Sequence, residues 1–224
     1  MAYQYFPLSK SEEGLYISSL SGGDAYNLAN LVNFGKHYSL KDIEDAIRKI
    51  FEAHPYLFTI LSTDDNGNVV KSIVPEEIKL AEEKVNEIKV ESLPYELLNE
   101  HLYRFKVFNV DGNLNLYFDF HHILMDGTSI KIFIDDLYAS LEGRKIKKEA
   151  ENANDFAIKE AKLIENKDYQ PSKEYFEKLV GDVETDSTIV EDKTDKEIAY
   201  GNIRRKLSIK DSQRYSGLFI HDEE

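Results

Sequence analysis

Two adjacent histidines, His121 and His122, are followed after three residues by Asp126 and then by Gly127. An imidazole can exchange a proton near neutral pH, and one held on an apolar face keeps its ring neutral, as a general base requires. A carboxylate four residues on can fold back to orient a ring or pair with a cation. Glycine frees the backbone for a turn that other residues resist. This set suits general base work near neutral pH. A pair of satisfied structural histidines at a strand end is the plain alternative. A metal site is disfavoured, because the chain has no cysteine and no second His/carboxylate cluster at ligand spacing.

The elements that position these residues are legible on both sides. Leu114, Leu116, Phe118 and Phe120 alternate with Asn113, Asn115, Tyr117 and Asp119, which predicts a half-buried strand. Asp111-Gly112 is a hairpin signal, with Arg104 to Val110 as the partner strand. The alternation carries His122 along the apolar row and His121 along the row of Asn115 and Asp119. Neighbouring histidines then face opposite ways and are poorly placed to grip one ion together. After Gly127, Ile130, Phe133, Ile134, Leu137 and Leu141 fall at helical spacing, with Thr128 or Ser129 as the cap. The expected unit is strand, tight loop, helix.

The chain has 224 residues, 42% hydrophobic and 12% aromatic, enough for one sizeable domain or two small ones. Its formal net charge of -14 argues against nucleic acid and against an anionic membrane as partners. With no cysteine there is no disulfide framework, and a cytoplasmic location is expected. No signal peptide, membrane-length apolar run or internal repeat is visible.

Along the chain, residues 3 to 8 read as a short strand, and Ser9 with Glu12 as a capping box opening a helix to about Leu20. Tyr26 to Lys36 reads as a strand. Ser39 with Asp42 opens a second helix whose stripe is Leu40, Ile43, Ile47, Ile50 and Phe51, stopping before Pro55. Leu57 to Ser62 and Val69 to Val74 flank a hairpin tip. Residues 75 to 86 read as charged and solvated, 88 to 90 as a strand, and Pro94 as the start of a helix to Leu102. Gly143 to Lys148 holds a basic cluster, read as a solvated helix end or a docking point for an anion. Residues 182 to 196 read as an acidic loop, 197 to 207 as a strand, and Ser208 with Asp211 as a helix start.

His121-His122-Ile123-Leu124-Met125-Asp126-Gly127 resembles the His-His-x-x-x-Asp-Gly signature of the chloramphenicol acetyltransferase-like acyltransferases, and above all that of the condensation domains of non-ribosomal peptide synthetases. In that family the second His faces the reacting amine, as base or as positioning group, and the Asp is mainly structural through a salt bridge to an Arg. Carried over, His122 is the catalytic histidine, beside His121. Asp126 is the organiser, and Gly127 is the turn and a backbone donor. Pro7-Leu8-Ser9 resembles the family's opening motif, with Glu12-Glu13-Gly14 replacing its usual Gln and Arg. His54, Leu57 and Thr59 match a second motif, but Phe58 stands where an Arg usually pairs with the loop Asp. Arg104 is the candidate replacement. Asn154-Asp155-Phe156-Ala157 resembles a later motif, with Ala153 in place of its Tyr.

The resemblance implies an α/β chloramphenicol acetyltransferase-like sandwich. A mixed, largely antiparallel sheet is flanked by helices, forming one half of a two-lobed condensation domain. Residues 1-180 would form the N-terminal subdomain and 181-224 the start of the crossover to the second lobe. It implies amide formation between acyl and aminoacyl groups on the phosphopantetheine arms of upstream and downstream peptidyl carrier domains, with no directly bound cofactor or metal. Further partners would be the C-terminal half and an adenylation domain of the parent chain, and the isolated segment is expected to be inactive. Two other readings stand beside it: a CoA-dependent N- or O-acyltransferase, and a non-catalytic docking module of the same fold.

Overall fold

The two-residue turn Asp111-Gly112 fixes the centre of the molecule. In the computed structural model, which describes residues 4–181, Asp111 has φ 51° and Gly112 φ 82°. Two successive positive φ values are what a tight hairpin turn matching the strand twist needs. The register that follows sets Val110 against Asn113 and Arg104 against Asp119.

In chain order the elements are β1 (Phe6–Pro7), α1 (Lys10–Gly22), β2 (Asn27–Gly35), α2 (Leu40–Ala53), β3 (Thr59–Thr63), β4 (Val69–Ile73), β5 (Glu82–Lys84), β6 (Tyr103–Val110), β7 (Asn113–His121), α3 (Gly127–Leu141), α4 (Ala153–Glu165) and α5 (Gln170–Val180). A 3-10 turn, Pro55–Phe58, joins α2 to β3, so β3 begins at Thr59 rather than at Leu57. The strands form two sheets, in the orders β1-β4-β3 and β2-β7-β6-β5. All pairs are antiparallel except β5 with β6. The mixed, largely antiparallel α/β architecture expected from the sequence is therefore present. The described residues belong to one compact unit, Met1–Val183. The acidic loop, strand and helix start expected beyond residue 181 lie outside the described residues.

The main core lies between the four-stranded sheet and helices α2 and α3. The apolar row of β7, Leu114, Leu116, Phe118 and Phe120, is buried. Phe133 of α3 brings its ring to 5.0 Å from Phe118 and 5.2 Å from Phe120. Both helices start where expected for α1 and α2, with reciprocal capping boxes at Ser9/Glu12 and Ser39/Asp42. The stripe Ile43, Ile47, Ile50 and Phe51 is fully buried beneath the sheet. A second cluster of Leu8, Leu61, Leu97, Leu102 and Ile123 ties the small sheet to the turn after β7.

Three expectations are corrected here. First, residues 94–102 are not helical. Leu98 and His101 form isolated bridges to Leu61 and Ile60, and Asn99 takes φ 64°. The segment is irregular: Arg104 of β6 takes the carbonyls of Leu93 and Pro94 at its start, and the Tyr95 hydroxyl bonds to the Asp119 carbonyl of β7. Second, the strand expected at 88–90 lies at 82–84 instead, where the neighbouring β6 edge supplies backbone partners. Ile78, in the stretch read as solvated, is buried. Third, β7 is buried on both faces rather than one. Asn115, Asp119 and His121 are almost fully enclosed.

Candidate active site

The two histidines leave β7 under backbone control from opposite neighbours. The His121 N–H donates to Leu102 O at 3.0 Å, and the His122 N–H to Tyr26 O at 2.8 Å. One bond lies towards β6 and the other towards β2, as the antiparallel ladder requires. The Leu124 N–H then donates to His121 O at 2.9 Å and closes the turn.

His121 is 2% exposed. Its Nδ1 accepts from the Ile123 N–H at 3.2 Å. A ring nitrogen that accepts carries no proton, so the proton of the neutral ring sits on Nε2. Burial, and then the neighbouring His122, lower the His121 pKa to about 4. His121 is therefore uncharged at neutral pH. The ring lies edge-on to Tyr95 at 5.7 Å between centroids and near Tyr26 at 6.2 Å.

His122 is half-buried. Its Nδ1 is shielded from solvent and has no hydrogen-bond partner among the described residues. Among the described residues nothing holds this ring as His121 is held.

Asp126 is the N-cap of α3. Its Oδ1 accepts from the Ser129 N–H and the Ser129 hydroxyl, both at 2.7 Å. The cap is thus the aspartate itself, not Thr128 or Ser129. These bonds hold the Asp126 carboxyl below its ordinary range, with smaller help from the Thr128 N–H and from His122. Among the described residues no cation lies within ion-pair distance of it.

The expected Arg104–Asp126 pair does not form. Arg104 stands opposite Asp119 in the β6–β7 ladder, 3.9 Å from its Oδ2. It donates to Leu93 O at 2.5 Å and Pro94 O at 2.7 Å, and stacks 3.8 Å above the Tyr95 ring. Strand register decides this, because Asp126 lies beyond the turn while Asp119 faces Arg104 directly. Asp119 is raised by burial, which the nearby Arg104 charge opposes. Asn27 donates to its Oδ2 at 3.2 Å.

Gly127 also departs from expectation. It starts α3 without a positive φ, and a Cβ built there would meet nothing within 4 Å. The turn does not require glycine on conformational grounds. Its N–H belongs to the first helical turn, where donors have no intrahelical partner.

Phe58 occupies the position of the family's arginine. It is buried with its ring 4.8 Å from Phe51 and 6.5 Å from Tyr103. A cavity of about 580 Å³ lies beside the loop, lined by Leu124, Met125 and Ser129 and by His54, Asp136 and Glu149. His54 Nε2 stands 3.1 Å from Asp136 Oδ2, and Nδ1 contacts Glu149. Among the described residues no group of three His, Cys, Asp or Glu is placed to hold a metal ion, and no helix is long and apolar enough to cross a membrane. The basic cluster is irregular, with Arg144 paired to Glu142. The sequence reading missed Tyr95 and Asp119. Asp119 was visible on the polar row, and the hairpin turn sets it opposite Arg104. Tyr95 had no such signal.

Comparison with known proteins bears on the family and the fold. The family model "Condensation domain" matches residues 3–216. Bacitracin synthase 1 of Bacillus licheniformis is 28% identical over 189 residues, covering 80% of this chain and 4% of that protein. Surfactin synthase subunit 2 of Bacillus subtilis is 28% identical over 183 residues, covering 77% and 5%. The chain thus spans a small part of these curated relatives. The teicoplanin X-domain, in its complex with OxyB, superposes with a TM-score of 0.71 at 16% identity over 86% of this chain and 47% of that one. The starter condensation domain of the rhizomide synthetase RzmA gives 0.65 at 15% identity, over 80% and 48%. With a family match over nearly its whole length and the fold of solved members, this chain belongs to the condensation-domain family.

Proposed function

We propose that this chain contributes one wall of a cytoplasmic condensation site that joins an acyl thioester to an amine. Both substrates would be carried on phosphopantetheine arms of peptidyl carrier domains within a larger synthetase. The observation that supports this most is the contrast between the two histidines. His121 is enclosed, neutral and engaged through Nδ1, while His122 has no protein partner on Nδ1 among the described residues. His122 is the imidazole left for substrate, with Nε2 the nitrogen to meet it.

In the reaction, the amine nitrogen attacks the thioester carbonyl carbon. His122 Nε2 accepts the amine proton, or holds the amine in line. The tetrahedral oxyanion collapses, the C–S bond breaks, and the thiolate takes the proton back. The Gly127 N–H, at the positive end of α3, is a suitable donor to the oxyanion. Thioester activation supplies the driving force, so positioning is most of the task. Asp126 supports the site by starting α3, Arg104 through Asp119, and the 224 residues alone are expected to give no turnover.

The test is condensation by the parent synthetase with loaded carriers, followed by mass spectrometry of the carrier-bound product. His122→Ala should lower the rate by about 100-fold or more. Full activity in that variant would remove the assignment. Soluble CoA esters used in preference to carrier-bound ones would point instead to a CoA-dependent acyltransferase. A docking module is a second reading, favoured by Asp126 lacking a cation among the described residues and by the overlap with the X-domain seen with OxyB. Inactive parent protein that still binds a partner enzyme would support it.

A further inference from the structure

Arg104, Tyr95 and His121 lie in contact in a row on the polar face of the sheet. The Arg104 guanidinium is 3.8 Å from the Tyr95 ring centroid, and the Tyr95 ring is edge-on to His121 at 5.7 Å. Arg104 also holds the carbonyls of Leu93 and Pro94, the two residues before Tyr95. The Tyr95 hydroxyl donates to the backbone carbonyl of Asp119 at 2.9 Å, two residues before His121. A segment without regular secondary structure is thereby fastened over a buried imidazole.

We infer that Arg104 and Tyr95 form a clamp that keeps His121 dry and thereby positions the neighbouring His122, so both are positioning residues for condensation. This rests on reading His122 as the reacting imidazole. Without the clamp, water reaches the His121 ring and allows it to take a proton. A cation one residue away then opposes proton uptake by His122, and the Ile123 N–H loses its acceptor, since a protonated Nδ1 cannot accept. The turn that aims His122 is loosened at the same time. The groups beside His121 are His122 in the turn, Tyr26 before β2 and Tyr95 in the cover, with Asp119 two residues back on the same row of β7 and Arg104 opposite Asp119 on β6. Asp119 is matched by Arg104 at 3.9 Å and by Asn27 at 3.2 Å. The positive charge of Arg104 is therefore spent on Asp119 and on the Tyr95 ring, and the clamp brings no net charge of its own to the imidazole.

Ring-nitrogen NMR of the 224-residue chain tests this without turnover. In the wild type, His121 should keep the Nε2–H tautomer and titrate near about 4. Arg104→Ala and Tyr95→Ala should each raise that midpoint by more than about half a unit towards the ordinary value near 6.5. Tyr95→Phe keeps the ring but loses the hydroxyl bond to Asp119 and should raise it by less than Tyr95→Ala does, whereas Arg104→Lys loses the paired carbonyl bonds and should raise it. A midpoint that stays within about half a unit in the folded Arg104 variants overturns the clamp. In the parent synthetase, Arg104→Lys should lower kcat by about tenfold with KM retained and shift the acid limb of the pH profile upward. A wild-type parent with no condensation would defeat the functional reading yet leave the NMR result standing. Altered His121 titration with unchanged kcat would defeat the positioning role alone.

Discussion

The Asp126 carboxylate is turned back on Ser129, with one oxygen accepting from both the backbone N–H and the hydroxyl at 2.7 Å. The residue expected to be held by an arginine is held by the helix it starts. Its first service is structural: it satisfies a donor at the α3 N-terminus and places a negative charge at the positive end of the dipole. Asp126→Ala should destabilise the chain by about 1 kcal/mol, and Asp126→Asn by only a few tenths, because Asn caps equally well. Its folded pKa is depressed, so the stabilisation is fully present above the ordinary carboxylate value of 3.8 and is lost as pH falls through the lower folded value. Urea unfolding of the three proteins at pH 7 and pH 3 checks both statements. A full 1 kcal/mol loss in the Asn variant would mean that charge, not capping, carries the effect.

Gly127 separates stability from activity. Its added methyl meets no neighbour and its φ is ordinary for an L-residue. Gly127→Ala should therefore leave stability unchanged or raise it by about 0.5 kcal/mol, through helix propensity and a less flexible unfolded chain. If the space in front of α3 admits substrate, the same change should lower the condensation rate of the parent synthetase. An alanine variant with full activity would show that the glycine serves neither backbone nor substrate.

Residue period made β7 and the α2 stripe legible in the sequence, the Asp111-Gly112 pair the hairpin, and the Ser9/Glu12 and Ser39/Asp42 spacings the starts of α1 and α2. The same period misjudged the exposure of β7, because alternation reports which residues share a face and not what covers that face. The cover is the stretch from Leu93 to Leu98. Its Pro94 start and leucine spacing favour a helix locally, yet Arg104 captures two of its carbonyls and Tyr95 is bonded to Asp119. Tertiary partners outweighed propensity there. The Arg104–Asp119 pairing followed from the Asp111-Gly112 turn, since a two-residue hairpin fixes every cross-strand pair.

Phe58 explains why no arginine reaches Asp126 from the second motif. Its ring packs against Phe51 at 4.8 Å and lies 6.2 Å from the His101 ring. A guanidinium in this aromatic cluster would lose hydration, and the carboxylate at its edge, Glu76, is already engaged by the Tyr103 hydroxyl and His101. Phe58→Arg should cost about 3 kcal/mol or more, whereas Phe58→Leu should cost under about 1.5 kcal/mol. Thermal unfolding compares them. A Phe58→Arg protein as stable as the wild type would show that the side chain can escape to Asp126 and rebuild the family's usual pair.

The enclosed His121 predicts a specific acid response. Its folded pKa, about 4, lies below the ordinary 6.5. Between those values the unfolded chain binds a proton that the folded chain refuses. Unfolding free energy should therefore fall as pH drops from about 6.5 towards 4, by on the order of 3 kcal/mol in total from this one group. Carboxylates held low by their hydrogen bonds lose their contribution further down, below the ordinary value of 3.8 for groups such as Asp126. The two effects occupy different parts of the pH axis. His101, also lowered by burial, adds in the same direction as His121, so the comparison needs a variant that removes one imidazole at a time. In His121→Gln the slope between pH 6.5 and 4 should shrink to what His101 leaves, although the variant starts less stable at pH 7. An unchanged slope would mean that water already reaches the His121 ring and that the Tyr95 cover does not seal it.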